Sequence, residues 1–485
     1  MVGGPIPAEL RRPPVELPPL VLDRRADRPL PVQIADALRG ATASGAMRAG
    51  DRLPSTRALA ATLGVSRTVT AAAYDQLLAE GWVTARRGAG TFVLRMPGDH
   101  CRKATFPQPA CSKVAFLQRG RAVRGDVVDL RAGTPCLEAL DRAAWRRAWR
   151  SAADAPPDAA PDAEGLPGFR AAVVEHLLRH RGLPADPATV LATPGSSAAV
   201  AELARTLPAG ARVGMEEPGY QRAVTALRDA GLVVVPVPVD DAGLVVDAVP
   251  RGLAAVYCTP AHQYPWGARL SAARRVALVE RARREGFLVV EDDYDGELRY
   301  DVAPLPLLAA LGPDVVVHLG TASKLLTPTL GVGWLVAPPA VRAAVLAHRD
   351  ATGTRPGGAG QRVFTALADH GDLARHLRRL RRELSGRRAD LVAGLREAGV
   401  AVRGDEAGAH VVVELPDGDA ERAVIAAAAR RGVALDGLAR HHAGPPRTAG
   451  IVLGYAGPAR VDLDRALPAA VMALASVDAH HAAPR

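Results

Sequence analysis

FLVVEDDYDGELRY, residues 287–300, joins an apolar run to three consecutive acidic residues and a tyrosine. The run Phe287–Val290 is typical of a buried strand, and Glu291, Asp292 and Asp293 follow it directly. Ligands of open α/β sheets bind at the carboxyl ends of the strands. The segment therefore predicts a strand that brings carboxylates to a binding site, with a metal ion as one alternative ligand.

Similar apolar runs alternate with Ala-, Leu- and Arg-rich helical patterns from about Val128 onward. The alternation predicts an α/β fold with a mixed, mainly parallel sheet covered by helices. After about residue 340 a long basic helix, His370–Gly394, precedes the stretches His410–Leu415 and Ile451–Tyr455, which indicates a small C-terminal α+β subdomain. The other runs in the alternation are Leu232–Val239, Leu253–Cys258 and Val315–Leu319.

A lysine follows one of these predicted strands, in VVVHLGTASKLLTPTLGVGWLV over residues 315–336. Thr321 and Ser323 place Lys324 in a loop of small residues. Nearly all of the 61 basic residues are arginine, so a lysine retained here is unusual for the chain. A lysine in such a loop can form a Schiff base with an aldehyde, whereas an isolated lysine is normally a solvated charge.

Two further segments carry groups that suit a phosphorylated ring. Gly195, Ser196 and Ser197 open a predicted helix, where free N–H groups and two hydroxyls can hold a phosphate. Tyr220 follows a Pro-Gly turn in MEEPGYQRA and could stack on a flat ring. Taken singly, the first segment is more often a plain helix cap and the second a packing residue.

Pyridoxal phosphate can use all of these groups. One of the carboxylates that follow the strand Phe287–Val290 can keep its pyridine nitrogen protonated, so that the ring acts as an electron sink. Tyr294 can hydrogen-bond the ring hydroxyl, and Lys324 can take the aldehyde. This cofactor is therefore one ligand that the four segments could hold.

The N-terminal part predicts a helix-turn-helix followed by a hairpin. Residues 31–45 form a first amphipathic helix, Ser55 lies where an N-cap should be, and Gly64 can make the tight turn before a helix capped by Ser66. A plain helical bundle is the alternative. The positions expected to be buried are Ile34, Leu38, Ala41, Leu59, Leu63, Val69, Ala73 and Leu77.

The last of these helices begins with Arg67, Thr68 and Thr70, which we expect to be exposed. A recognition helix presents its N-terminal residues to base edges and phosphates in the major groove. Trp82–Thr84 and Thr91–Val93 flank ARRGAG, a small basic hairpin tip that can reach the DNA backbone or minor groove. The net charge of +10 suits a polyanionic partner, although an Arg-rich composition alone gives the same charge.

The length and composition of the chain limit the classes of protein to which it can belong. A length of 485 residues predicts more than one domain, and 48% hydrophobic with 23% charged residues is typical of a globular chain. We expect no membrane span, no secretion signal and a cytoplasmic location. Because Cys101, Cys111, Cys136 and Cys258 form no CxxC pair, we expect neither a metal site nor a disulfide framework.

Residues 31–93 resemble the winged-helix domain of GntR-type regulators. The segments GDRLPSTRALA, LGVSRT and GAGTFV carry this resemblance almost position for position. It implies that the protein binds DNA through the helix-turn-helix and the wing. The residues implied are Ser55, Arg57, Ser66, Arg67, Thr68, Arg86, Arg87 and Gly88.

The rest of the chain, from about Val128 to Ala475, resembles class I aminotransferases, specifically the MocR subfamily of GntR regulators. GLPGFRAAVVEHLLRHRG (165–182) and TPAHQYPWG (259–267) add to the resemblance. It implies that Lys324 is the internal aldimine lysine of pyridoxal 5'-phosphate. The other implied cofactor-binding residues are Asp292, Tyr294, Tyr220, Gly195, Ser196, Ser197, Thr321, Ser323, and either Gln263 or Tyr264.

Two positions depart from that family's pattern. Gly331, seven residues after Lys324, stands where an arginine usually contacts the cofactor phosphate, so a charge-assisted contact is lost. Val452 stands where an arginine usually binds the substrate carboxylate, so bidentate recognition is lost. Arg222 is a candidate substitute for an anion contact.

We therefore predict a regulator that binds double-stranded promoter DNA and whose pyridoxal phosphate domain senses a B6 vitamer or an amino compound, with little or no transaminase turnover. The resemblance also implies a homodimer, for which a head-to-tail arrangement is one option. An active aminotransferase with a DNA-binding arm, or a cofactor-free dimerisation domain, is the alternative. The predicted parts are a flexible tail (1–20), a winged helix-turn-helix (21–95), a linker (96–127) and an aminotransferase-like domain (128–478, small subdomain about 340–478).

Overall fold

The computed structural model of the chain divides into two compact units, one within residues 1–120 and one within 121–485. The predicted tail and linker lie almost entirely outside the described residues, as do Arg87 and Gly88. None of the described helices is long and apolar enough to cross a membrane. The described residues are 28–43, 46–48, 50–79, 82–86, 90–93, 127–156, 159–300 and 306–481, with a few positions before residue 28.

The first unit combines helices with an antiparallel hairpin, in which Val83 pairs with Val93 and Arg86 with Gly90. Its core contains the apolar positions that the sequence predicts, such as Ile34, which is fully buried. Leu63 and Val69 are half-buried and pack against that core. The elements are α1 (Leu30–Ala43), α2 (Thr56–Leu63), α3 (Arg67–Ala79), β1 (Val83–Arg86) and β2 (Gly90–Val93).

The ends of α2 and α3 follow from local capping. The Ser55 hydroxyl accepts a hydrogen bond of 3.1 Å from the backbone N–H of Ala58. Gly64 ends α2 in the left-handed conformation at φ 61°, which glycine adopts at little cost. Ser66 precedes α3 and accepts from the N–H of Val69 at 3.4 Å. These caps confirm the predicted helix-turn-helix.

Thr70 corrects one expectation about the recognition helix. The sequence places it among the exposed residues, but its side chain is fully buried. Its hydroxyl lies 2.8 Å from the Thr56 carbonyl and 3.0 Å from the Arg67 carbonyl. Thr70 therefore ties α3 to α2 because helix packing takes up its polar group, and it is not available to DNA.

The second unit is built on a mixed eight-stranded sheet within the described residues, in the order β4-β11-β10-β9-β8-β5-β6-β7. Its strands are β3 (Val128–Asp129), β4 (Val190–Thr193), β5 (Arg212–Glu217), β6 (Val233–Asp240), β7 (Gly243–Leu244), β8 (Ala255–Cys258), β9 (Leu288–Asp292), β10 (Val316–Thr321), β11 (Gly333–Val336), β12 (His410–Leu415), β13 (Val433–Ala434), β14 (Asp436–Gly437) and β15 (Ala449–Gly454).

Helices cover this sheet and complete the unit. They are α4 (Arg142–Asp154), α5 (Pro167–Arg181), α6 (Ser196–Thr206), α7 (Gln221–Asp229), α8 (Ala272–Glu285), α9 (Leu308–Leu311), α10 (Pro339–Thr352), α11 (Gly358–Asp369), α12 (Asp372–Glu397), α13 (Gly418–Arg430) and α14 (Arg460–His481).

The five strands β6, β5, β8, β9 and β10 are parallel neighbours. β7 pairs antiparallel with β6 and β11 pairs antiparallel with β10, whereas β4 pairs antiparallel with β11 and so runs in the direction of the five. Two of the parallel strands are longer than the apolar runs that predict them. β9 continues to Asp292 and β10 to Thr321, so these two residues end their strands. Both therefore lie at the carboxyl edge of the sheet.

A smaller antiparallel sheet, β12-β15-β14, lies with α12, α13 and α14 in a core of its own. β3 pairs with β13, where Val128 lies opposite Val433, so the start of the second unit belongs to this part. In contrast, α10 packs on α6 and α11 packs on α4 and α5, which flank the large sheet. This packing favours a boundary near residue 371 over one near 340, and the other domain limits stay predictions.

Candidate functional site

The residues expected to bind the cofactor follow neighbouring strands of the large sheet. Tyr220 comes after β5, Asp292 ends β9, and Lys324 comes after β10. Because these strands are parallel, their carboxyl ends lie at one edge of the sheet. The fold therefore brings together residues that are up to about a hundred positions apart in the sequence.

Asp292 has one occupied and one unoccupied carboxylate oxygen. Its Oδ2 accepts a hydrogen bond of 2.6 Å from the Tyr257 hydroxyl. Its Oδ1 is buried and has no hydrogen-bond partner among the described residues. Burial raises the pKa of Asp292 to about 6, and the hydroxyls of Tyr257 and Ser196 offset part of that rise. A cationic N–H donor such as a protonated pyridine nitrogen fits the unoccupied oxygen.

The neighbouring acidic residues have separate structural partners. Glu291 accepts the backbone N–H groups of Leu308 and Ala309 at 2.8 and 3.1 Å. Asp293 forms a buried two-bond ion pair with Arg181, at 2.6 and 2.8 Å. In the part of the chain that the structure describes, no group of His, Cys, Asp or Glu could hold a metal ion. The acidic run therefore serves three different purposes.

A cradle for a phosphate forms where α6 begins. Gly195 precedes the helix at φ 133°. A Cβ built on it would lie 3.6 Å from Thr321 Oγ1 and 3.8 Å from Ser323 Oγ. Two hydroxyls and the N-terminus of α6 therefore surround the same space, and a helix N-terminus attracts negative charge. The two loops fit the phosphate of the expected cofactor.

Three tyrosines lie edge to face around the site. The Tyr220 and Ser197 hydroxyls are 2.9 Å apart. The ring of Tyr264 lies 5.8 Å from that of Tyr220 and 6.0 Å from that of Tyr294. Tyr294 donates to the His262 carbonyl at 3.0 Å. Its role on the ring hydroxyl stays a prediction, because its proton already has an acceptor within the chain.

The contacts of Gln263 separate it from Tyr264. The Gln263 amide donates to the Pro218 carbonyl at 2.9 Å, and its oxygen accepts from the Trp266 N–H at 2.9 Å. Both ends of this buried side chain thus hold the surrounding loops together. These contacts disfavour Gln263 as the residue that binds the ring hydroxyl, and the assignment of Tyr264 to that role remains a prediction.

The side chain of Lys324 contacts the segment that begins the second unit. Its Nζ donates to the Gly133 carbonyl at 2.6 Å. Burial lowers the pKa of His410 well below its ordinary value, and the charges of His262 and Lys324 lower it further. The rings of His262 and His410 lie 4.7 Å apart, and the ring of Tyr264 lies 5.3 Å from that of His410. The sequence gives no signal for these two histidines.

The two positions that lack arginine differ in their surroundings. Gly331 is exposed, has φ 61°, and has no atoms within 4 Å of the Cβ it would carry. Val452 is fully buried in β15 and packs in an apolar cluster with Trp266 and Val412. The wall of the site where an arginine is expected to bind the substrate carboxylate is therefore apolar. Arg222, the candidate substitute, is exposed on α7.

The residues expected to contact DNA lie at the surface of the first unit, as far as the structure describes them. Arg86 ends β1 opposite Gly90 in the hairpin. Their roles at DNA remain predictions, and the hydroxyls of two of them also cap helices. The exposed residues are Ser55, Arg57, Ser66, Arg67 and Thr68.

The two units define a class of protein in which a winged helix-turn-helix precedes an aminotransferase-fold domain. The family model for aminotransferase class I and II matches residues 125–447. The model for bacterial regulatory proteins of the gntR family matches residues 30–93. The chain is thus a DNA-binding transcription regulator with an aminotransferase-like domain.

Similar regulators share this whole arrangement. The chain is 35% identical to the HTH-type pyridoxine biosynthesis transcriptional regulator PdxR of Corynebacterium glutamicum, over 90% of this chain and 94% of that protein. It is 32% identical to the probable rhizopine catabolism regulatory protein MocR of Rhizobium meliloti, over 90% and 92%. The chain belongs to the MocR-type GntR family of transcription regulators.

Solved aminotransferases share the fold of the second unit. The Pyrococcus horikoshii kynurenine aminotransferase matches with a TM-score of 0.66 and 25% identity, covering 74% of this chain and 93% of that one. An alpha-aminoadipate aminotransferase of Thermus thermophilus, complexed with N-(5'-phosphopyridoxyl)-L-leucine, matches with a TM-score of 0.65 and 25% identity, covering 74% and 94%.

Proposed function

We propose that this regulator binds pyridoxal phosphate covalently through Lys324 and senses a B6 vitamer or an amino compound. The observation that carries the proposal is the pair formed by Asp292 and Val452. Asp292 offers an unoccupied buried oxygen to the cofactor ring, whereas buried Val452 offers no donor to a substrate carboxylate. The domain thus retains a group that can hold the cofactor ring, and it lacks the donor that would bind the carboxylate of an amino-acid substrate.

Different residues of the chain would hold different parts of the cofactor. Asp292 would keep the pyridine nitrogen protonated, and Thr321 and Ser323 with the start of α6 would hold the phosphate. Tyr220 would cover one face of the ring. When bound, pyridoxal phosphate supplies an aldehyde and an electron sink. The phosphopyridoxyl compound in the Thermus thermophilus relative supports this assignment.

Weak catalysis follows from the missing clamp. Transamination needs the substrate held so that its Cα–H bond aligns with the ring's π system, and orientation supplies much of the rate. An apolar wall at Val452 cannot fix a carboxylate by two hydrogen bonds. An amino compound could still bind beside the cofactor and change the conformation of the domain, which is what a sensor requires.

The regulatory half of the proposal concerns promoter DNA. The exposed start of α3 and the basic hairpin fit recognition by a winged helix, with a base-reading helix and a backbone-contacting wing. The name of the Corynebacterium glutamicum relative links that protein to pyridoxine biosynthesis, which supports a B6 vitamer as the ligand here. A cytoplasmic homodimer is part of the same proposal.

A paired experiment tests sensing against catalysis. Pyridoxamine formation is followed by absorbance with a panel of amino acids, and affinity for the protein's own promoter is measured with pyridoxal phosphate and the same panel. We expect a change in DNA affinity with negligible turnover. Fast pyridoxamine formation without any change in DNA binding would instead establish the enzyme.

Two controls sharpen this experiment. The Lys324→Ala variant should lose any effect of the ligands on DNA affinity while it still binds DNA. A scrambled promoter fragment separates specific from non-specific binding at the same salt concentration. A wild-type protein that shows no cofactor absorbance and no ligand effect would support a cofactor-free dimerisation domain.

A further inference from the structure

A second cavity lies beside the cofactor site, between the edge of the large sheet and the segment that precedes β15. Its volume is about 190 Å³. His442, Arg447 and Thr448 line it from the small-subdomain side. The opposite side consists of the end of β5 and the residue after it, three residues within β6, and one aromatic ring: Glu217, Pro218, Pro236, Pro238, Val239 and Trp266.

Arg447 contributes to this cavity a positive charge that is not paired with any described residue. Its side chain is exposed, and no described residue makes a hydrogen bond or an ion pair with its guanidinium. Nearby Arg440 differs, because its Nη2 donates to Asp436 at 2.6 Å. A free guanidinium at the rim of a cavity can bind a carboxylate through two parallel hydrogen bonds.

The remaining walls favour an apolar body on the ligand. Trp266 contributes a large ring, and Pro236 and Pro238 contribute flat aliphatic surfaces. Removing such surfaces from water by covering them with a ligand is favourable. The cavity is smaller than the roughly 300–1,000 Å³ of drug-sized sites, so it fits a compact molecule such as one ring with a short acidic side chain.

The cavity is physically connected to the cofactor site. The Glu217 carboxylate accepts the N–H groups of Ala443 and Gly444 at 2.8 and 3.2 Å. The N–H of Gly219 donates to the His441 carbonyl at 2.8 Å. Glu217 and Gly219 belong to the turn that carries Tyr220. The segment that contains Arg447 is therefore hydrogen-bonded to the turn that carries Tyr220, the residue that would cover the cofactor ring.

We infer that this cavity binds a small carboxylic acid with an apolar body, whose carboxylate pairs with Arg447 and whose ring packs against Trp266. The site is separate from Lys324 and needs no covalent step. Its role as an effector site rests on the proposed function, because a ligand here acts on the regulator through the turn of Tyr220.

The probe for this site is 3-phenylpropionate, and calorimetric titration of the full-length protein measures its binding. We expect one saturable site per chain. The neutral analogue 3-phenyl-1-propanol should bind at least about tenfold more weakly, because it cannot form the charged pair. Arg447→Gln should weaken 3-phenylpropionate binding by at least about tenfold, through the same lost interaction.

Two further variants separate this inference from the rest. Arg430→Gln removes the same charge from an exposed position on α13 that does not line the cavity, and it should leave binding unchanged. Lys324→Ala should still show one saturable site, because Lys324 does not line the cavity. Absence of saturable binding, or equal affinity in the wild type and Arg447→Gln, overturns the inference. Borohydride trapping of pyridoxal on the same preparations tests the proposed function independently of that result.

Discussion

The hydroxyl of Tyr257 donates a 2.6 Å hydrogen bond to Oδ2 of Asp292, and both side chains are buried at the carboxyl edge of the large sheet. Tyr257 lies on β8 and Asp292 ends the neighbouring parallel strand β9. The contact fixes the carboxylate and leaves Oδ1 for one further donor. Because the carboxylate is buried in this way, the protonation of Asp292 should affect the stability of the protein without cofactor.

Asp292 should make the stability of the cofactor-free protein depend on pH. Burial raises its pKa from the ordinary value of 3.8 to about 6 in the folded state. The folded protein therefore binds the proton more tightly than the unfolded chain, and stability falls as the pH rises through this window. Asp292→Asn removes that cost, so its advantage over the wild type should grow by about 2 kcal/mol between about pH 4.5 and about pH 7.5.

Urea unfolding at both pH values measures this difference. Asp154→Asn, which changes an exposed carboxylate on α4, serves as the control for general effects of charge. A constant difference between Asp292→Asn and the wild type across the pH range would show that Asp292 does not carry the effect.

Lys324 should be the residue that holds the cofactor covalently. The sequence contains only two other lysines, Lys103 and Lys113, so reduction with borohydride has few alternative side chains to label. Mass spectrometry of the wild type should locate the pyridoxyl group on Lys324, and Lys324→Ala should abolish it. The double variant Lys103→Arg/Lys113→Arg should keep full labelling. Label that persists in Lys324→Ala would overturn the assignment.

Adding a charge at Gly331 should strengthen cofactor binding. Gly331→Arg returns a cation that can pair with the phosphate, and we expect affinity for pyridoxal phosphate to rise by about tenfold. The left-handed backbone at φ 61° should lower stability by about 1–2 kcal/mol. Gly331→Ala carries the same backbone cost without the charge and separates the two effects. If Gly331→Arg binds no better than Gly331→Ala, another group already holds the phosphate.

Arg67 should contribute to recognition of the operator. It begins α3, where its side chain is exposed. Arg67→Ala should weaken binding to the native promoter by about 1–3 kcal/mol if the guanidinium contacts a base. Gel-shift titration measures the change, and Arg430→Ala is a control that removes an arginine from the other unit. Equal affinity of Arg67→Ala and the wild type would exclude Arg67 as a contact.

The wing should act mainly through phosphates. Arg86→Ala and Arg87→Ala should lower affinity for the promoter and for an unrelated duplex by similar factors. Each loss should reduce the slope of log affinity against log salt concentration by about 0.9, because one phosphate contact disappears. Filter binding over a range of salt concentrations gives the slope. A loss of affinity confined to the promoter would indicate base recognition instead.

The features that the sequence predicts correctly depend on interactions between near neighbours. Ser55 and Ser66 cap helices through N–H groups three residues away, and Gly64 ends α2 by its own backbone freedom. The alternation of apolar runs and helices likewise predicts the parallel strands, and β12 matches its predicted stretch, His410–Leu415, from end to end. Such features follow from propensity and periodicity, which act over a few residues.

Contacts between distant segments had no signal in the sequence. The acidic run after β9 reads as one cluster, yet Asp293 pairs with Arg181, 112 residues earlier, and Asp292 with Tyr257, 35 residues earlier. The burial of Thr70 and the internal bonding of Gln263 also arise from packing between elements. Local sequence cannot encode these partners, because each depends on how helices and strands pack and on which polar groups are thereby removed from water.

The residue types at the site, Lys324, Asp292 and the tyrosines, and the order of the elements that carry them were thus readable from the chain alone. The unoccupied oxygen of Asp292, the apolar wall around Val452 and the cavity at Arg447 exist only once the elements have packed. Burial and the exclusion of water set the chemistry of a site, and both are properties of the assembled fold.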